Sequence, residues 1–111
     1  SSTLATRGAP GAGLYAAGKA AGLALTRALA QELAPRGVRA NALLPGVVPT
    51  AMTAAPRTGV STEEQLAGLR ALHPLGRLGT PDDIAQAVAW LLSATWVTGA
   101  EIPIDGGLLV G

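Results

Sequence analysis

The sequence contains no cysteine, and it has a single histidine, a single tyrosine and a single lysine. Without cysteine the chain can form neither a disulfide bond nor a reactive thiolate. The lone His73 cannot supply the two or three imidazoles of a typical zinc site, so we predict no metal site. The redox compartment stays open, because a chain without thiols fits either kind.

Charge is also scarce, since charged residues make up 14% of the chain and the formal net charge is +1. Such a chain lacks the basic field that attracts nucleic acids or anionic lipids, so we expect neither as a partner. No apolar run reaches the roughly 18 residues that cross a bilayer, and the first residues do not resemble a secretion signal. We therefore expect a soluble, cytoplasmic protein.

Hydrophobic residues make up 49% of the 111 residues, which suffices for the thin core of one small domain over 1–111. Helix formers, alternating apolar residues and Gly or Pro breakers predict a loop followed by three helices and two strands. The predicted order is loop 3–13, helix 14–33, strand 38–44, helix 61–72, helix 81–93 and strand 101–105. This order fits an α/β layer fold with a parallel sheet.

Local signals mark the element ends. Ser61 and Glu64 have the spacing of a capping box. Thr80 as N-cap with Pro81 at the first helical position predicts the start of another helix. Pro103 places the last strand at a sheet edge or beside an irregularity, because proline cannot donate to a strand ladder.

Tyr15 and Lys19 stand four positions apart on the first predicted helix and share one face. A free phenol ionises only near pH 10, and a nearby cation favours the phenolate, so such a pair can pass protons near neutral pH. The spacing alone also fits an aromatic residue and a surface lysine that share a face by chance. Both interpretations remain open on spacing alone, although these are the only residues of their types.

Longer segments make the sequence recognisable. YAAGK at 15–19 and NALLPGVVPTAM at 41–52, within residues 1–52, resemble the short-chain dehydrogenase/reductase family. HPLGRLGTPDDIAQAVAWLL at 73–92 and VTGAEIPIDGG at 97–107 continue the resemblance. It implies the C-terminal part of a Rossmann-like, doubly wound parallel sheet, truncated before its cofactor-binding half. An unrelated small α/β binding module would have to match all these motifs by accident.

The resemblance implies roles for particular residues. Tyr15 would be the general acid/base, Lys19 would assist it and bind the nicotinamide ribose, and Ser2 would polarise the substrate carbonyl. Cofactor contacts, to NAD or NADP, would come from Tyr15 and Lys19. They would also come from four positions after the first predicted strand: Pro45, Gly46, Val48 and Thr50. For these last four, the structural alternative is that Pro-Gly simply ends a strand.

Other positions receive lesser roles by the same resemblance. Met52 and Leu66 are candidates for lining a substrate pocket. Asn41 and His73 are interpreted as structural residues outside the catalytic set. The terminal Asp-Gly-Gly at 105–107 is interpreted as a turn and not as a metal site.

The glycine-rich phosphate turn of the family does not occur in these 111 residues. GAPGAG at 8–13 follows no predicted strand, and we reject it as a phosphate loop. We therefore expect the activity, interconversion of a secondary alcohol and a ketone, only of a complete chain that forms a homodimer or homotetramer. The family group containing 3-oxoacyl carrier-protein reductases and polyol dehydrogenases fits, without a choice among them. The alternative is a non-catalytic remnant that acts through subunit-contact surfaces.

Overall fold

A computed structural model of the chain describes residues 1–50 and 62–111. These residues contain three α-helices, two strands and two short 3-10 helices. They are the 3-10 helix Thr3–Ala5, α1 (Gly13–Leu33), the 3-10 helix Ala34–Arg36, β1 (Ala42–Pro45), α2 (Thr62–Ala71), α3 (Pro81–Ser93) and β2 (Glu101–Ile104). The predicted order of helix, strand, helix, helix, strand is confirmed.

The long helix α1 follows from its alanine- and leucine-rich sequence, because both residue types favour the helix. It begins at Gly13, one residue before the predicted start. The chain leaves the helical region at Gly37, whose φ of 71° is left-handed and whose N–H bonds to the carbonyl of Ala34. The predicted loop before α1 is wrong in one detail, because residues 3–5 form a 3-10 turn.

β1 and β2 pair in parallel, with Ala42 opposite Glu101 and Pro45 opposite Ile104. The prediction of a strand over 38–44 is wrong at its start, because β1 begins only at Ala42. Over residues 38–41, side-chain hydrogen bonds accompany the backbone bond from the N–H of Gly99 to the carbonyl of Ala40 at 2.7 Å. The guanidinium of Arg39 donates to the carbonyls of Leu91 and Val97 at 2.9 and 3.1 Å. These bonds hold the approach to β1 against the chain that leads into β2.

Asn41 completes this junction with its side-chain amide. Its nitrogen donates to the carbonyl of Val97 at 3.0 Å, and its oxygen accepts from the N–H of Ala100 at 3.0 Å. An amide that bridges two backbone positions in this way fits the structural role predicted for Asn41.

α3 begins at the predicted residues. The hydroxyl of Thr80 accepts from the N–H of Asp83 at 3.2 Å, and the carboxylate of Asp83 accepts from the N–H of Thr80 at 2.8 Å. Arg77 adds two bonds to the same carboxylate at 2.7 and 3.0 Å. The guanidinium of Arg77, and then the N–H of Thr80, hold the pKa of Asp83 well below its usual range.

The core lies between the sheet and one face of α1. Leu44 is the most buried large side chain, at 1% exposure, and Leu23 of α1 packs near it with Ala42. An ion pair between Arg27 of α1 and Glu101 of β2 ties the helix to the strand.

Much apolar surface stays exposed around this core. Leu14 is 93% exposed and Trp96 is 99% exposed. None of the helices in 1–50 and 62–111 is long and apolar enough to cross a membrane.

Candidate active site

Tyr15 and Lys19 meet on the first turns of α1. The Lys19 Nζ lies 5.2 Å from the centroid of the Tyr15 ring, within the range of a cation–π contact. Tyr15 is 43% exposed and Lys19 is half-buried. The helix therefore brings together the two side chains that its spacing placed on one face, and it leaves the phenol accessible to a small molecule.

Ser2 lies before α1 in the chain, as the N-cap residue of the 3-10 helix Thr3–Ala5. Its hydroxyl oxygen accepts from the N–H of Leu4 at 3.2 Å. Because the oxygen acts as the acceptor in that bond, its own proton remains available for a second partner. Among the described residues, no hydrogen bond links Ser2 to Tyr15 or Lys19.

Ser1 ties the chain start to α1, since its hydroxyl donates to the carbonyl of Lys19 at 3.1 Å. Lys19 also borders an open pocket of about 340 Å³ between α1 and the beginning of β1. Ala42 and Leu43 form the β1 side of that pocket. The pocket beside Lys19 thus extends from the helix that carries Tyr15 to the strand that leads to Pro45.

Pro45 and Gly46 stand at the carboxyl end of β1, where ligands bind in open parallel sheets. The N–H of Gly46 donates to the carbonyl of Ile104 at 3.0 Å and so extends the sheet contact by one residue. A Cβ at Gly46 would lie 2.9 Å from the Asp105 Cα and 2.9 Å from the His73 Nε2. Glycine is therefore required here by packing, which supports the structural alternative for this position without excluding a cofactor contact.

Val48 and Thr50 continue from this strand end. Val48 is half-buried, and its Cγ2 would lie 3.0 Å from a Cβ placed on Gly79. Thr50 is exposed. Their predicted role as cofactor contacts stays a prediction.

His73 is buried and bonded to two backbone groups, which fits the structural role predicted for it. Its side chain is buried to 3% exposure just beyond α2. Its Nδ1 lies 2.8 Å from the carbonyl of Leu69, and its Nε2 accepts from the N–H of Val47 at 3.2 Å. A sequence signal existed, since a lone histidine directly follows the apolar end of a predicted helix, but its partner 26 positions earlier could not be inferred.

The remaining predicted positions are placed as follows. Leu66 lies half-buried within α2, while Met52 and Ser61 lie outside the described residues. Asp105 forms the predicted turn, because its carboxylate accepts from the N–H groups of Gly107 and Leu109 at 3.1 and 2.9 Å. Gly106 and Gly107 both have positive φ, at 57° and 90°, which explains the two glycines.

Comparison with known proteins matches the chain to one family model, described as enoyl-(acyl carrier protein) reductase, over residues 1–109. The 3-oxoacyl-(acyl-carrier-protein) reductase FabG of Haemophilus influenzae is 41% identical over 109 residues, covering 96% of this chain and 43% of that protein. The chain thus spans about two fifths of the length of such curated relatives.

Two solved structures extend the comparison. A short chain dehydrogenase family protein from Francisella tularensis superposes with a TM-score of 0.91 at 31% identity, over 99% of this chain and 49% of that one. An NAD(P)-dependent gluconate 5-dehydrogenase candidate from Beutenbergia cavernae, with NADP bound, gives a TM-score of 0.89 at 42% identity, over 100% of this chain and 44% of that one.

The relatives differ in the substrates they are named for, but they share one fold and one family. Their parallel-sheet architecture confirms the predicted fold class, the C-terminal part of a Rossmann-like α/β sheet. The YAAGK motif that carried the resemblance lies inside the matched residues, as does the Asp-Gly-Gly turn. The chain belongs to the short-chain dehydrogenase/reductase family.

Proposed function

We propose that this chain supplies the catalytic and substrate-binding part of an NAD(P)-dependent oxidoreductase that interconverts a secondary alcohol and a ketone. The observation that carries the proposal is the Lys19 ammonium, 5.2 Å from the centroid of the Tyr15 ring, at the spacing of the family motif. The relative that contains NADP and the relative named as a reductase support the same assignment.

Tyr15 exchanges the proton in this scheme. In the reducing direction its phenol donates a proton to the oxygen of the ketone, and in the oxidising direction its phenolate accepts the proton of the alcohol. Lys19 contacts the Tyr15 ring and donates to the hydroxyls of the nicotinamide ribose. The Ser2 hydroxyl donates a hydrogen bond to the substrate oxygen and thereby orients it.

The residues of this chain fit part of a nicotinamide cofactor. When bound, that cofactor supplies or accepts the hydride. In 1–50 and 62–111 no carboxylate forms an ion pair with Lys19, so its N–H donors are left for the ribose hydroxyls. The pyrophosphate has no glycine-rich turn within these 111 residues, and its binding site must come from other residues.

The experiment compares Tyr15→Phe with the parent sequence in the natural gene product that carries these residues. NADPH oxidation is followed with two carbonyl probes that the relatives suggest, a 3-oxoacyl thioester and a ketogluconate. The variant keeps the ring but loses the exchangeable proton, so we expect turnover to fall by about 10²- to 10⁴-fold. Gln31→Ala, on an exposed position of the same helix, is the control and should keep parental turnover.

Three results decide between the hypotheses. Turnover that falls only in the Tyr15→Phe protein supports the proposal. Turnover that survives this substitution shows that another group moves the proton. A parent protein that neither binds nor oxidises NADPH leaves the non-catalytic remnant as the better hypothesis.

A further inference from the structure

One imidazole joins two segments that lie far apart in the sequence. The Val47 N–H can only donate and the Leu69 carbonyl can only accept, so the two ring nitrogens of His73 must have different roles. Nδ1 carries the proton and donates to Leu69, while the bare Nε2 accepts from Val47. The neutral Nδ1–H tautomer is the form that satisfies both partners.

The two partners of His73 are backbone groups of separate segments. The Leu69 carbonyl belongs to the last turn of α2 and also accepts from the N–H of Leu72 at 3.2 Å. Val47 lies just past β1, within the segment 45–50 whose residues Pro45, Gly46, Val48 and Thr50 are predicted to contact the cofactor. His73 therefore closes the end of α2 and holds the backbone after β1 with the same ring.

The backbone around Val47 is fixed from several directions. The carbonyl of Val47 accepts from the N–H of Gly79 at 2.9 Å, opposite in role to the N–H that binds His73. A Cβ placed on Gly46 would lie 2.9 Å from the His73 Nε2, so the ring lies close against the backbone after β1. A shift of the imidazole would therefore move the Val47 peptide.

We propose that His73 is a positioning residue that couples the segment 45–50 to the end of α2. It acts through the Val47 peptide and touches neither substrate nor cofactor itself. This inference rests on the proposed function, because the segment 45–50 can contact a cofactor only if the chain is part of an NAD(P)-dependent oxidoreductase. His73 borders a cavity of about 320 Å³. The charged residues around this cavity are Arg77, Asp83 and Asp105.

Two variants of the natural gene product separate positioning from packing. His73→Leu fills the space but leaves the Val47 N–H without an acceptor. His73→Gln restores an amide oxygen that can accept from Val47. NADPH dissociation constants are measured by fluorescence titration at a temperature where circular dichroism shows each variant folded.

We expect His73→Leu to raise the NADPH dissociation constant by about tenfold, the effect of one unsatisfied buried donor. His73→Gln should rescue most of this loss and remain within about threefold of the parent, because the acceptor returns. Equal constants in the parent and in a folded His73→Leu protein would overturn the inference, because a purely structural histidine would affect stability and leave binding unchanged.

Two further readouts need no cofactor. The ¹⁵N shifts of the His73 ring, assigned by difference from His73→Gln, should show the neutral Nδ1–H tautomer, and the opposite tautomer would overturn the inference even if the leucine variant fails to fold. Amide exchange at Val47 should accelerate in the folded His73→Leu protein, and unchanged protection would also overturn it. A parent that binds no NADPH defeats the proposed function, while these two measurements still decide the coupling of Val47 to α2.

Discussion

Two regions of the molecule hold their key side chains in different ways. One is the first turns of α1, and the other is the contact of His73 with Gly46 and Val47 just past β1, which we call the crossing. At the start of α1, Tyr15 is 43% exposed, and the Lys19 Nζ lies 5.2 Å from the centroid of its ring. At the crossing, His73 is 3% exposed, has a partner for each ring nitrogen, and lies against a glycine that admits no Cβ. One region leaves its two side chains accessible, and the other fixes the backbone that follows β1.

The contrast teaches which property each region determines. Substitutions at the exposed pair remove chemistry but few packing contacts, so they should change turnover with little change in stability. Substitutions at the crossing disturb close packing and buried hydrogen bonds, so they should first change stability. The following substitutions test that division, beginning with the largest expected effect.

Lys19→Met keeps most of the length and apolar volume of the side chain and removes its charge. We expect turnover to fall by about a hundredfold or more, because the variant loses both the proposed donor to the nicotinamide ribose and the cation beside the Tyr15 ring. The unfolding midpoint should hardly change, since Lys19 forms no ion pair with a carboxylate in the described part of the chain. Steady-state kinetics and thermal unfolding of the same preparation measure both quantities.

Arg36→Met is the matched control, because it removes one exposed cation from the 3-10 helix Ala34–Arg36, at the opposite end of α1 from Lys19. It should leave turnover at the parental level. Equal losses in the two variants would assign the effect to net charge and would remove the distinction between the start of α1 and the rest of the surface.

Gly46→Ala tests the crossing by adding a single methyl group. The new Cβ would lie 2.9 Å from the backbone Cα of Asp105, which cannot move without shifting the end of β2. We expect the free energy of unfolding to fall by about 1–3 kcal/mol, the usual effect of overpacking. Urea unfolding measures the change.

Gly18→Ala makes the same chemical change on α1, where a Cβ meets nothing within 4 Å. Alanine is the better helix former, so this variant should gain about 0.5–1 kcal/mol. If the two substitutions shift stability in the same direction, the packing difference between the regions is not what determines their stability.

How much the sequence could predict depended on the distance between interacting residues. The start of α3 was predictable, because Thr80, Pro81 and Asp83 act on the backbone of their own turn. The meeting of Tyr15 with Lys19 followed from helix geometry in the same way. These signals are local, and local geometry suffices to interpret them.

Contacts between distant segments escaped prediction. The strand was expected to begin at residue 38 because no local feature shows that Arg39 bonds to carbonyls 52 and 58 positions later. The packing requirement at Gly46 also depends on His73 and Asp105, which are supplied by other elements. Proline and glycine marked the turn in the sequence, but only the assembled sheet explains why the second residue is glycine.

Asp83→Asn is expected to have the smallest effect, and the effect should depend on pH. Arg77 and the Thr80 N–H hold the pKa of Asp83 below its usual range, so the folded state favours the carboxylate. The resulting stabilisation is present above the unfolded-state pKa of about 3.9 and is lost as the pH falls toward the lower folded-state value. Because the pair is exposed to solvent, the difference in unfolding midpoint at pH 7 should be small.

The measurement is the urea midpoint of the parent and of Asp83→Asn between pH 7 and pH 2.5. The gap between the two should be largest near neutrality and should narrow below the unfolded-state pKa, because there the unfolded parent binds a proton at Asp83 that the folded parent does not. Asp82→Asn is the control, because its carboxylate accepts from Gln86 and its loss leaves the contact of Arg77 with Asp83 intact. A gap that stays constant with pH would show that the Asp83 side chain stabilises α3 as a neutral hydrogen-bonding group, and the capping box alone would then account for the helix start.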